Sequence, residues 1–168
     1  MPLILSARGK KPHWGERCYI AENATLAGDI IMGDDCSVWF GAVVRSDVDA
    51  IKIGNRANIQ DLACIHQTAG SPVIIEDDAS IGHAAVVHGA TIRKGALIGM
   101  NATILDDTIV GENSIVAAGA VVVKGTIIPP NEIWGGIPAK RIKACEPGQS
   151  RVSADHYMYI KEWYEAEK

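Results

Sequence analysis

The chain has 168 residues, with 16 Lys plus Arg against 20 Asp plus Glu and a net charge of −4. That balance gives no global basic field for nucleic acid or an anionic membrane surface. Apolar residues make up 48% and aromatics only 5%, and 22 Ile and 13 Val stand against 6 Leu, which favours a β-rich chain over a helical bundle.

In chain order, the opening Met1-Pro2-Leu3-Ile4-Leu5 is too short for a signal-peptide core and runs at once into Arg8 and Lys10. No apolar run reaches the ~20 residues of a membrane span. Cys18, Cys36, Cys64 and Cys145 form no C-x-x-C pair, so neither a zinc ribbon nor a dithiol redox site is expected. The expectation is a reduced, cytoplasmic protein.

From Ile20 onward aliphatic residues recur every sixth position: Ile20, Leu26, Met32, Val38, Val44; Ile53, Ile59, Ile65; Ile75, Ile81, Val87; and Ile92, Ile98, Ile104, Val110, Val116, Val122, Ile128. Four residues later the side chain is usually small, as at Ala24, Cys36, Ala57, Ala79 and Ala102, with Ile30 as the exception. A period of six is neither helical nor a long two-residue alternation. Short strands joined by Gly, Asn and Asp bends satisfy it, stacked into a solenoid around a column of aliphatic side chains. The longer steps from Val44 to Ile53 and from Ile65 to Ile75 predict loops after Val44 and after Ile65.

Past Pro147-Gly148 the pattern turns helical. Ser153 reads as a cap and Asp155 as a first-turn acid. Tyr157, Ile160 and Tyr164, with Trp163 alongside, form a stripe that packs on the solenoid or on a neighbour. The expected organisation is a solenoid over residues 1–145 and a helix over 146–168.

Three histidines acquire meaning from the register. With three hexads per coil, Val44, Ile65 and Val87 occupy equivalent places, so Arg45, His66 and His88 stack in one column. Adjacent rungs lie ~4.8 Å apart, close enough for two imidazoles to share one metal. His83 sits on another side or corner and reaches them only from a neighbouring chain around a threefold axis. Three imidazoles with an open fourth position match a catalytic zinc site better than a structural one; zinc of that kind lowers the pKa of water to ~7. Imidazoles also accept iron, cobalt or nickel. His13 and His156 lack such support.

The hexads resemble those of the hexapeptide-repeat family, whose members form left-handed parallel β-helices with three hexads per triangular coil. Gly136-Ile137-Pro138-Ala139-Lys140 resembles the segment that closes such repeats. Arg45-Ser46-Asp47, Asn58-Ile59-Gln60-Asp61, His66 and His83-Ala84-Ala85-Val86-Val87-His88-Gly89 together resemble the gamma-class carbonic anhydrases. The resemblance implies an all-β left-handed β-helix with a C-terminal helix, assembled as a homotrimer. It also implies zinc, or else iron, held by His66, His83 and His88 at subunit interfaces. Gln60 then bonds the water on the metal, Arg45 and Asp47 join subunits beside the site, Asn58 lines it, and Asp61 belongs to the same neighbourhood. One departure is visible: the loop Gln67-Thr68-Ala69-Gly70-Ser71-Pro72 and the neighbouring Val48 carry no carboxylate to shuttle protons, which predicts weak turnover.

The expected reaction is reversible hydration of carbon dioxide to bicarbonate. The alternatives are an acyltransferase that uses acetyl-CoA or another acyl-CoA, with a His as general base, and a non-catalytic metal-binding trimer. The Lys140-Arg141-x-Lys143 cluster meets either a phosphate or solvent.

Overall fold

The computed structural model describes residues 1–166; positions 167–168 of the expected helical segment lie outside the described residues. It is a parallel β-solenoid of about seven turns with one C-terminal helix. The coil winds left-handed, against the usual hand of parallel crossovers.

Each side of the triangle carries one apolar column in unbroken register, aliphatic except for Trp134 at the end of the first. Ile20, Val38, Ile59, Ile81, Ile98, Val116 and Trp134 pair in succession on the first. Leu26, Val44, Ile65, Val87, Ile104 and Val122 form the second. Met32, Ile53, Ile75, Ile92, Val110 and Ile128 form the third. Nearly all are fully buried, and each such side chain contributes roughly 1.5–3 kcal/mol of burial. The small residues four places on, such as Ala57, Ala79, Ala96 and Ala102, fill the corners and are equally buried.

One expected loop is a strand. Val43–Ile53 continues for 11 residues beside Thr25–Met32, with a register shift between Gly28 and Ile30. Gly28 makes this possible: its φ is +88°, and a Cβ there would stand 1.9 Å from the Ser46 carbonyl oxygen. Ile30, the exception to the small-residue rule, pairs with Ile51 in this ribbon and is fully buried. The other loop, after Ile65, folds back through a Thr68–Ser71 bridge.

The coil closes with a hairpin between Glu132–Gly135 and Lys140–Ala144. The helix α1, Val152–Ala166, follows a single 3₁₀ turn, Gln149–Arg151. Ser153 is therefore not a cap. Winding starts earlier because Gly148 adopts the left-handed conformation (φ 79°) and the Gln149 Oε1 accepts the Glu146 N–H.

Tyr157 and Tyr164 pack on Trp39, and Tyr164 also meets Tyr19 and Phe40. Trp163 meets Tyr159 edge-to-face instead, both exposed. Ion pairs fix both halves of α1. Arg56 bridges Asp78 at 2.6 Å and Asp155 at 2.8 Å. The buried Lys161 ammonium donates to the Arg17 carbonyl at 2.7 Å and to Asp35 at 3.2 Å. Among the described residues no helix is long and apolar enough to cross a membrane.

Candidate metal centre

The histidine pair read from the register is present. His66 and His88 are Cα partners on the adjacent strands Cys64–His66 and Val86–His88. Their rings face each other, with Nδ1 of His66 3.1 Å from Nε2 of His88. A carboxylate holds the far nitrogen of each: Asp47 lies 3.0 Å from Nε2 of His66, and Asp106 lies 2.8 Å from Nδ1 of His88. Arg45 reaches outward to the other oxygen of Asp47. The His66 hydrogen bond, and after it Arg45, hold the Asp47 carboxyl below its ordinary range.

This geometry constrains the tautomers. A neutral imidazole has one N–H, and each ring directs its N–H to a carboxylate. The facing nitrogens therefore present two lone pairs at 3.1 Å, an arrangement that becomes favourable with a cation between them. Two nitrogens bound at ~2.0–2.1 Å to a tetrahedral ion stand ~3.3 Å apart, close to the spacing observed. The residues fit a metal ion.

His83 occupies the corner turn between Ser80–Ile81 and Val86–His88, as the register requires. Its Nδ1 lies 2.7 Å from Asp61, so it repeats the imidazole–carboxylate pairing of the other two. Leu62 and Ala84, which follow Asp61 and His83, both adopt left-handed backbone (φ 62° and 56°). The Ala84 N–H bonds the Asp61 carbonyl at 2.8 Å and stacks one turn on the other. The remaining nitrogen, Nε2, accepts from the Tyr157 hydroxyl at 3.2 Å. Burial, and after it Asp61, push that phenol up to about 12, so it stays protonated and donates.

Gln60 and Asn58 stand on the Asp61 side of the molecule. The buried Gln60 amide donates to Asn58 Oδ1 at 3.0 Å and to Ser153 Oγ at 3.1 Å, and Asn58 donates to Ser80 Oγ at 2.8 Å. With both donors engaged, the carbonyl oxygen is the acceptor that Gln60 has to offer elsewhere.

The predicted residues thus fall into two groups on one chain. Arg45, Asp47, His66 and His88 lie together on a flat face. Asn58, Gln60, Asp61 and His83 lie together at a corner. Among the described residues no three His, Cys, Asp or Glu side chains of a single chain converge as a metal site. Three contributors escaped the sequence reading: Asp106, the Tyr157 hydroxyl and Ser153. Asp106 had a signal, since the histidine column continues one coil on to Leu105 and Asp106 is the next residue. The two on α1 had none, because nothing in the repeat fixes where a helix beyond it docks.

Comparison with known proteins gives the family and the fold. Residues 89–124 match the family model described as bacterial transferase hexapeptide (six repeats). A Methanocaldococcus jannaschii protein named "Probable carbonic anhydrase" is 51% identical over 152 residues, 89% of this chain and 96% of that protein. A carbonic anhydrase of Geobacillus kaustophilus is 43% identical over 100 residues, 60% of this chain. That match spans 55% of the Geobacillus protein, little more than half its length. Among solved structures, a Bacillus cereus protein provisionally named as an acetyltransferase superposes with a TM-score of 0.96 at 35% identity over 99% of both chains. By sequence, repeat and fold, the chain belongs to the gamma-class carbonic anhydrase-like proteins of the hexapeptide-repeat family.

Proposed function

We propose that the chain is the subunit of a trimeric metalloenzyme that hydrates carbon dioxide reversibly. The observation that carries this reading is the set of three imidazole–carboxylate pairs, His66–Asp47, His88–Asp106 and His83–Asp61, each with one nitrogen fixed and the other turned away. Carboxylates behind ligating histidines fix the tautomer and raise ligand basicity. A hydrogen-bonded surface histidine needs no such repetition.

In this reading His66 and His88 of one subunit and His83 of the next hold zinc, or iron or cobalt in its place. Once bound, the ion supplies Lewis acidity toward water and carbon dioxide near neutral pH. Asp47, Asp106 and Asp61 each engage one ring nitrogen, so that the other is the one turned to the metal. Arg45 restrains Asp47, so that the carboxylate cannot swing to compete as a ligand. Gln60, locked by Asn58 and Ser153, presents its carbonyl oxygen as an acceptor beside His83. The loop 67–72 supplies no carboxylate to move protons outward, so turnover is slow.

A second reading has one observation in its favour, the acetyltransferase name of the Bacillus cereus protein that superposes over the whole chain. Metal analysis with stopped-flow hydration separates the two. One ion per subunit and hydration above buffer, both lost in His83→Ala, are expected. A metal-free protein that binds coenzyme A and transfers an acetyl group would overturn the proposal.

A further inference from the structure

The coil period also brings together two thiols. Cys18 precedes the strand Tyr19–Ile20, Cys36 precedes Ser37–Val38, and Tyr19 pairs with Ser37 in register. The cysteines therefore share one corner on successive coils. Coils stack ~4.8 Å apart, within the roughly 4.4–6.8 Å Cα separation that a disulfide spans. Both thiols donate to carbonyls of the bends on the same corner, Cys18 to Gly33 at 3.2 Å and Cys36 to Gly54 at 2.9 Å. A missing C-x-x-C spacing does not keep thiols apart in this fold: eighteen residues are one coil, so distant cysteines become neighbours.

The surroundings differ for the two partners. Cys36 is fully buried, and its sulfur lies 2.9 Å from the Gly54 carbonyl oxygen; Cys18 is half-exposed. One thiol is thus reachable and the other lies behind it. Tyr19–Ile20 is the end strand of its sheet, with one neighbour, so it can close on Cys36 without breaking a ladder on its far side. Below the pair the corner continues as Ala57, Ala79 and Ala96, and the sulfurs sit only at the open end of the stack.

We propose that Cys18 and Cys36 form a reversible dithiol–disulfide pair that exchanges with low-molecular-weight disulfides, Cys18 attacking and Cys36 resolving. The Cys18 thiolate, its proton given to water, attacks one sulfur of R–S–S–R, forms the Cys18–S–S–R bond and expels RS⁻. Cys36 then attacks the Cys18 sulfur, the mixed disulfide breaks, and the Cys36 proton leaves with the second RS⁻. Two protein thiols are oxidised to one disulfide and one small disulfide is reduced to two thiols. The ionisation of the pair suits these roles. Hydrogen bonding from Cys36, with the Lys161 ammonium nearby and Asp34 opposing, brings the Cys18 thiol down to about 7. The bond to Cys18 and burial push the Cys36 thiol up.

The test treats the folded protein with oxidised glutathione, alkylates the remaining thiols, and reads intact mass and peptide maps. The expected product is lighter by two hydrogens, carries a Cys18–Cys36 cross-linked peptide, and reverts with dithiothreitol. The same product is expected in Cys64→Ser/Cys145→Ser, whereas Cys36→Ser accumulates a glutathione adduct on Cys18. A stable adduct on Cys18 in the unsubstituted protein, or modification of the exposed Cys64 while Cys18 stays a free thiol, would overturn the proposal.

Discussion

Removing the Asp106 carboxylate probes the candidate metal centre where the sequence was least informative. Asp106 lies 2.8 Å from Nδ1 of His88 and, through the ring, sets the nitrogen that faces His66 3.1 Å away. Loss of such a partner behind a ligating histidine costs about 10–100-fold in metal affinity, which is roughly 1.4–2.8 kcal/mol. Asp106→Asn keeps an acceptor but loses the charge, so the expected loss is about tenfold; Asp106→Ala moves toward a hundredfold. Asp107 provides the internal control, because its carboxylate bonds Ser71 at 2.6 Å and Lys124 at 3.3 Å and touches no histidine. The assay is competition for zinc against a chelator of known affinity, with thermal unfolding of the metal-free proteins as a check on the fold. Equal affinities for Asp106→Asn and Asp107→Asn would refute the tautomer argument.

Tyr157→Phe removes the hydroxyl that occupies Nε2 of His83; a hydrogen bond of about 1 kcal/mol lost from the metal-free state tightens zinc binding about fivefold in the same competition assay. Asp35 links α1 to the coil, and hydrogen bonding to Arg17 lowers its carboxyl to about 2, below an unfolded value of ~3.9. A depressed carboxyl stabilises the fold above its unfolded pKa, and this contribution fades as pH falls from ~4 toward ~2. The acid-side fall in melting temperature is therefore shallower in Asp35→Asn, and an unchanged slope would contradict the assignment. Ile81→Ala empties a fully buried rung between Ile59 and Ile98, with an expected loss of ~2–5 kcal/mol in urea unfolding; a loss below 1 kcal/mol, as for a surface site, would refute the column.

The aliphatic columns were legible because a coil of constant length turns a sequence period directly into a spatial stack. Ile81 lies over Ile59 and under Ile98 for that reason alone. The same arithmetic placed His66 beside His88 and His83 at a corner. It failed where the period is broken. A loop was expected after Val44, but Gly28 lets the chain approach closely enough for pairing to run to Ser46 and resume at Ile51, so that only residues 47–50 bulge out. Contacts with α1 were illegible for a different reason. Helical spacing identified Tyr157 and Tyr164 as a packing face, but the Tyr157 hydroxyl on His83 and Ser153 on Gln60 depend on where a separate element docks. That docking is set by Trp39 and by Asp78 and Asp35, dispersed through the repeat. That Cys18 and Cys36 share a corner follows from the coil period rather than from any local motif, which is why C-x-x-C spacing does not reveal it.

The central claim is a metal centre divided between His66 and His88 of one subunit and His83 of the next. Two variants are each expected to be metal-free, His83→Ala and the double variant His66→Ala/His88→Ala. Co-refolded in equal amounts and assorted at random, they place an intact His83 opposite an intact His66–His88 pair at about one interface in four over the whole population. Zinc recovery near that fraction in the mixture, with none in either variant alone, is the predicted result. No recovery in mixed trimers, or full metal binding by His83→Ala alone, would contradict the divided site.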